Sequence, residues 1–266
     1  MKKIGKYLKI WILRCKMSLM EASEYRTSVV FYFLASLTWS LTSLFLRGII
    51  YNIVDEIKGW TFDEMALLIA IYNFSFAFLL MLSWNAIYHH FRPAVREGNL
   101  DFHLTRPISP RFMLTTGDLD INGILHLIPS SIIFFYTLSL DTISFNLVNI
   151  ILFIFYFFIG QYIIYSICYL FYSIIFLTTS ADHVSSVFWT MQDITKHPLE
   201  IFPNKLRFML LFIIPIGFVA YIPTKALLGQ LSYRFFAFTI IFNIFLVIIN
   251  KLVWEFGVQK YESVSS

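Results

Sequence analysis

The chain has 266 residues, of which 58% are hydrophobic and only 14% charged, with a net charge of +4. Soluble domains carry roughly 25% charged residues, so a water-soluble fold is excluded. The basic residues flank apolar runs and form no stripe with interleaved aromatics, so they read as topology signals and nucleic acid is not expected as a partner.

Residues 1–26 carry Lys2, Lys3, Lys6, Lys9, Arg14, Lys16 and Arg26 and lack the unbroken apolar core of a cleavable signal. Ile4, Tyr7, Leu8, Trp11, Cys15 and Leu19 recur at helical spacing on one face. The pattern predicts an amphipathic helix, either lying in the membrane interface with its lysines snorkelling outward or packed on another part of the protein.

Thr27 to Leu46 is 20 uncharged residues, about 30 Å of helix, which matches the hydrocarbon thickness. The first crossing is placed at about 27–53. A short acidic loop with Asp55, Glu56, Asp63 and Glu64 follows, then a second crossing at about 64–88. The return loop, 89–117, carries Arg92, Arg96, Arg106 and Arg111. Seven Lys and Arg precede the first crossing, one lies in the acidic loop and four in the return loop, so the basic segments are expected inside, and Arg47 at the outer end.

The third crossing, about 119–140, starts at Asp118 or Asp120, whose carboxylates suit a helix N-terminus, and Pro129 predicts a kink. Thr142 to Ala181 is 40 residues without a charge, about twice the length one crossing needs, so a turn is hidden there or just after. Thr179 and Asp182 fit a capping box, which places a break at 178–182, a fourth crossing at about 147–177 and a fifth at 181–197. Phe208 to Thr224 is shorter and broken by Pro215 and Pro223, and the last crossing is placed at about 233–256.

Two arrangements fit residues 204–229. In one they form a re-entrant helical hairpin on the outer side, rooted by Pro198 and Pro203 and turned by Pro215 and Pro223. In the other, 183–197 is a cytoplasmic interfacial helix and 206–221 spans. The expected fold class is therefore an all-α integral membrane protein with six transmembrane helices, both termini inside, in a single transmembrane domain after residue 26.

The return loop reads Gly98-Asn-Leu100-Asp101-Phe-His-Leu104-Thr-Arg106-Pro107-Ile-Ser. This resembles the permease subunits of ABC-2 type ATP-binding-cassette exporters, in the branch with a G-x-L-D-x-x-L-x-R-P-I/L-S signature between its second and third crossings. The proline-punctuated segment from Pro198 to Pro223 and the ending Trp254 to Ser263 are similar to the same branch, so the likeness covers essentially the whole chain. The resemblance implies a multi-pass protein of a prokaryotic plasma (inner) membrane, pairing with a second permease copy or a related permease. It also implies cytoplasmic ATPase subunits, which would bind the ATP and magnesium, and it favours the re-entrant hairpin.

In that reading Arg92, Arg96, Glu97, Gly98, Leu100, Asp101, Leu104, Arg106 and Pro107 form an ATPase-coupling element; alternatively the arginines hold anionic lipid headgroups. No cofactor is expected in the chain itself, because no G-x-x-x-x-G-K-[ST] cradle occurs. Nor are catalytic residues or a metal site expected: Cys15 and Cys168 are far apart, and the adjacent His89 and His90 cannot share a helical face. Intramembrane polar residues are costly, which marks Asn73, Asn122, His126, Gln161 and Asp182 as candidate pathway residues, with interhelical bridging as the bland alternative. Outside the exporter reading stand an ion-driven secondary transporter, a membrane scaffold and an intramembrane hydrolase; no H-E-x-x-H or G-x-S-x-G supports the last.

Overall fold

The computed structural model describes residues 2–116, 119–140, 146–177, 182–232 and 234–261. Among them no strand occurs, and five helices are long and apolar enough to cross a membrane. The helix α1 (Lys2–Glu24) leads into α2 (Arg26–Tyr51), whose apolar side chains face outward while Ser36, Ser40 and Ser43 form its buried stripe. Small residues on that stripe let the backbone approach its neighbours closely.

The centre of the bundle is α3 (Phe62–Leu79). It starts at a capping box, where Glu64 N–H donates to Thr61 Oγ1 at 3.4 Å and Thr61 N–H to Glu64 Oε2 at 3.2 Å. The helix continues through π-helical turns at Leu80–Trp84 and Ala86–Phe91 into α4 (Arg92–Arg96), a run of 35 residues. Wide turns loosen the regular bonding, and the Asp120 N–H reaches the Met81 carbonyl at 3.1 Å from outside the helix.

After the short α5 (Leu100–Leu104) and α6 (Pro110–Thr115) comes α7 (Ile121–Leu138), capped by Asp120, which accepts from Asn122 N–H at 2.9 Å. Asp118, the other expected start, lies outside the described residues, as do the 141–145 turn, the 178–181 break and the end of the chain. Pro129 has no N–H for the carbonyl four residues earlier, Leu125, and the Ser36 hydroxyl donates to that oxygen at 3.3 Å. The carbonyl left open by Pro129 thus has a partner supplied by α2.

Helix α8 (Leu147–Tyr172) and its 3₁₀ extension to Phe176 return across the bundle, and α9 (Asp182–Ile194) runs antiparallel to α3. Tyr172 hydrogen-bonds Ser185 at 2.7 Å and Phe188 stacks on Trp84 at 5.0 Å; further along, Lys196 lies over Tyr72 and Glu200 reaches Trp60. The contacts run from Trp84, in the first π-helical turn, back past the 18 residues of α3 to Trp60 just before it. The helix itself has only 13 residues, about 20 Å, so the rest of that path is the irregular chain from Thr195 to Glu200. A full-length helix over 181–197 is not what forms.

Residues 204–229 fold as α10 (Asn204–Phe212), a reversal over 213–220, and α11 (Tyr221–Leu227). Neither helix is long enough to cross. Both roots meet on one side: Glu200 Oε1 accepts from the Tyr221 hydroxyl at 2.7 Å and lies 3.5 Å from Lys225 Nζ, and Gln230 donates to Glu64 at 3.0 Å. The apex is deep, with the Ser75 hydroxyl donating to Val219 O at 2.8 Å. A Cβ added to Gly160 would lie 2.2 Å from Phe218 O, so only glycine lets α8 and the apex meet. The last helix, α12 (Arg234–Lys260), is tied to α8 by Asn250 donating to Ser166 at 2.8 Å.

Candidate coupling surface and the buried polar residues

The loop after α4 turns at Gly98, whose φ of +73° is reached without strain only by glycine. Leu100 follows, fully buried in the main core cluster, against which Tyr261 at the end of α12 also packs. Burial, and then the neighbouring Asp101 carboxylate, raise the Tyr261 hydroxyl above its usual range. Leu100 therefore anchors the loop, and Asp101 is half-buried beside it. What protrudes is Phe102, 68% exposed, and Leu104, 39% exposed, flanked by the exposed Arg96, Glu97, Arg106 and Pro107. Asn99 donates to Glu97 at 3.3 Å and holds the rim.

Helix α1 grips this loop from the side. Lys6 Nζ donates to Pro107 O at 3.3 Å, Ser109 N–H donates to the Tyr7 hydroxyl at 3.2 Å, and Arg14 donates to Met113 O at 3.0 Å and Thr116 O at 3.4 Å. Tyr7 meets the edge of Phe112 at 4.7 Å. Lys6 and Arg14 thus point at protein, which departs from the picture of a helix whose cations all snorkel outward. Leu8, Ile12, Leu13, Met17, Leu19 and Met20 are exposed apolar residues of α1.

The arginines divide into two pairs. Arg92 stacks over the Tyr88 ring at 5.1 Å and Arg111 over Tyr169 at 5.0 Å, whereas Arg96 and Arg106 are exposed. His103 is half-buried, and burial, followed by repulsion from Arg106, Arg14 and His90, lowers its pKa below the usual 6.5.

The candidate pathway residues are not gathered at one place. Asn73 is fully buried and donates to Ser43 on α2 at 3.0 Å, as a bridge does. Asn122 lines a cavity of about 470 Å³ at the α1–α2 elbow with Asn85, His89, Asp120 and Glu21. His126, one turn further along α7, is 4% exposed and meets the edge of Phe76 at 5.4 Å. Gln161 sits apart on α8, and nothing is described of the Asp182 side chain. Pro198, Pro203 and Pro215 stand at the ends of the short hairpin elements, and Pro223 is in the first turn of α11.

Sequence reasoning overlooked three contributors. Phe102 is hidden inside the motif as an unspecified position. Tyr7, on the apolar face of α1, gives no sign of its hydroxyl contact. Gln192 is 2% exposed, yet both its amide atoms lack a hydrogen-bond partner among the described residues. Its signal was available: a Gln on the Phe188–Gln192–Thr195 stripe of α9, which is otherwise where core residues fall.

A family profile described as ABC-2 family transporter protein matches residues 37–265. No curated protein and no solved structure matches the chain.

Proposed function

The chain belongs to the ABC-2 transporter family, and from that premise we propose that this multi-pass membrane protein is the permease subunit of an exporter driven by cytoplasmic ATPase subunits. The observation that carries the reading is the protruding knob of the 98–109 loop. Exposed aromatic and aliphatic side chains ringed by charge are the chemistry of a protein–protein contact, because a partner that covers Phe102 and Leu104 removes apolar surface from water while Arg96, Arg106 and Glu97 select its orientation.

The knob is also tied to the rest of the bundle. Its base is the 35-residue run through the middle of the bundle, and α1 clamps its far side through backbone carbonyls. A push on the loop is then felt by α3, which packs on α2 and α7.

Orientation follows from charge. The α1 segment and the arginine loop lie at one end, where Lys6 meets Pro107, while Glu64 and Glu200 lie at the other. Basic flanks favour the cytoplasmic side, which puts the knob and both termini inside, as a prokaryotic plasma membrane would hold them. A second permease completes the pathway, and ATP with its magnesium belongs to the partner ATPase.

The test is copurification from the native membrane with a tag on the chain. An ATP-binding-cassette ATPase should be retained in stoichiometric amount. Phe102→Asp with Arg106→Glu should lose it while the chain still inserts, and Arg96→Glu with Asp101→Lys should retain binding poorly and abolish transport. Recovery of wild type with no ATPase, or undiminished retention by the first pair, would end the reading.

A further inference from the structure

The polar cavity of about 470 Å³ at the α1–α2 elbow has a depth that follows from its lining. Tyr25, Ser28 and Tyr32 stand at the start of the crossing helix α2, and Asp120 and Asn122 at the start of the crossing helix α7, so the cavity sits where two spans begin. That is the level at which hydrocarbon gives way to lipid headgroups. Tyr25 is 61% and Tyr32 53% exposed, so the mouth opens on the side where α2 presents its apolar residues.

The charge inside is one-sided. Glu21 and Asp120 line the cavity, His89 and His90 complete the wall, and no lysine or arginine takes part. Glu21 is exposed and makes no hydrogen bond or ion pair among the described residues. Asp120 uses one oxygen for the α7 cap, accepting from Asn122 N–H at 2.9 Å; its other oxygen accepts no bond among the described residues and stays accessible. Burial raises the Asp120 pKa above its usual value, and the Asn122 N–H and His89 offset this only in part. A cation that carries its own N–H donors would answer both carboxylates, and the rings of Tyr25 and Tyr32 suit it as well.

Outside the cavity the sign reverses. Lys16 on α1 and Arg26 on α2 flank the elbow and are exposed. Cations at the rim and carboxylates within match a zwitterion whose phosphate stays at the membrane surface while its ammonium reaches inward. A purely anionic headgroup would set its charge against Glu21 and Asp120, and a quaternary ammonium would bring them no N–H.

We propose that this cavity binds the primary ammonium of a phospholipid headgroup, seated between Glu21 and Asp120; the ligand class is an aminophospholipid of the phosphatidylethanolamine type. The site is independent of the permease reading.

The test is native mass spectrometry of the full chain released from nanodiscs that hold phosphatidylethanolamine, phosphatidylcholine and phosphatidylglycerol in equal parts with identical acyl chains, scored as lipid retained per chain. Wild type should retain phosphatidylethanolamine about tenfold over either of the others. Glu21→Gln with Asp120→Asn should erase that preference, and Glu21→Gln alone, at an exposed position where folding is not at stake, should reduce it several-fold. Asn caps a helix as well as Asp does, so the double variant keeps the start of α7 and should unfold at the wild-type temperature in nanodiscs free of phosphatidylethanolamine.

Retention of phosphatidylcholine on a par with phosphatidylethanolamine overturns the proposal, since acyl chains or charge alone then account for binding. A preference for phosphatidylglycerol overturns it too, because that marks an anion site, and so does an undiminished preference in Glu21→Gln and in the double variant. Free ethanolamine in about hundredfold excess should leave the lipid in place; its displacement would assign the site to a water-soluble amine instead of a lipid.

Discussion

The two ends of the bundle solve opposite problems. At the end that carries α1 and the arginine loop, the loop after α4 is held from beneath by Leu100 and from the side by α1, and it leaves Phe102 and Leu104 exposed. At the opposite end, the hairpin seats its reversal inside the bundle, so that Ile216, Phe218, Val219 and Ala220 are each at most 2% exposed, while Phe208 and Ile213 on its flank stay exposed. Its roots are locked by Glu200, which accepts from Trp60 at 3.0 Å and from Tyr221 at 2.7 Å, with Lys225 over the Trp60 ring at 4.4 Å. The difference separates a loop whose apolar tip stays exposed from a reversal that the chain buries by itself.

Substitutions test that contrast, in descending order of expected effect. Gly160→Val drives a side chain into the Phe218 carbonyl, a backbone atom that cannot swing aside, and should cost about 3 kcal/mol in thermal stability in detergent. Wild-type stability would mean the hairpin is not seated on α8. Glu200→Gln removes the charge facing Lys225 and weakens the bonds from Trp60 and Tyr221, and a loss of about 1.5–3 kcal/mol is expected. Increased proteolysis of the 204–229 segment is the accompanying sign.

Gln192→Leu goes the other way: replacing an unpaired buried amide with an apolar side chain should raise stability by about 1 kcal/mol, read as a higher unfolding temperature. Phe102→Asp should change stability by less than about 0.5 kcal/mol, because its ring is mostly in water, while sharply reducing ATPase retention. A large stability loss there would sink the contrast between the two ends.

The smallest effect concerns pH. His103 has a folded pKa below 6.5, so the unfolded chain takes up its proton first. The stability this neutral imidazole contributes is fully present above pH 6.5 and is lost as the pH falls through the folded pKa. His103→Gln should flatten the acid side of a thermal-stability profile and leave the alkaline side alone.

Parts of this architecture were legible in the residues, and the reasons are local. The Asp120 cap, and the carbonyl that Pro129 leaves without its helical partner, follow from rules acting within one or two turns. The Thr61–Glu64 capping box carries the same local signal as the Thr179 pattern, which lies outside the described residues. In the candidate site, the motif from Gly98 to Pro107 marked the right segment but not the split of roles within it. Leu100 turns inward and Phe102 outward because α5 is a single helical turn leaning on the core, and a two-residue step then moves from one side of it to the other.

Apolar run length and charge bias, which are sums over neighbouring residues, were sufficient by themselves to determine that lipid surrounds an all-helical chain and which segments are basic. Contacts between residues far apart in sequence decided the rest. Only the fold brings Ser36 to the Leu125 carbonyl, Glu200 to Trp60 and Gln192 to a wall of four aromatic rings. The irregular chain that follows the short α9 is held by long-range packing, with Leu199 buried in the cluster formed by α8 and the hairpin. Backbone polar groups at membrane depth need partners, and those partners come from other helices, which no local pattern encodes.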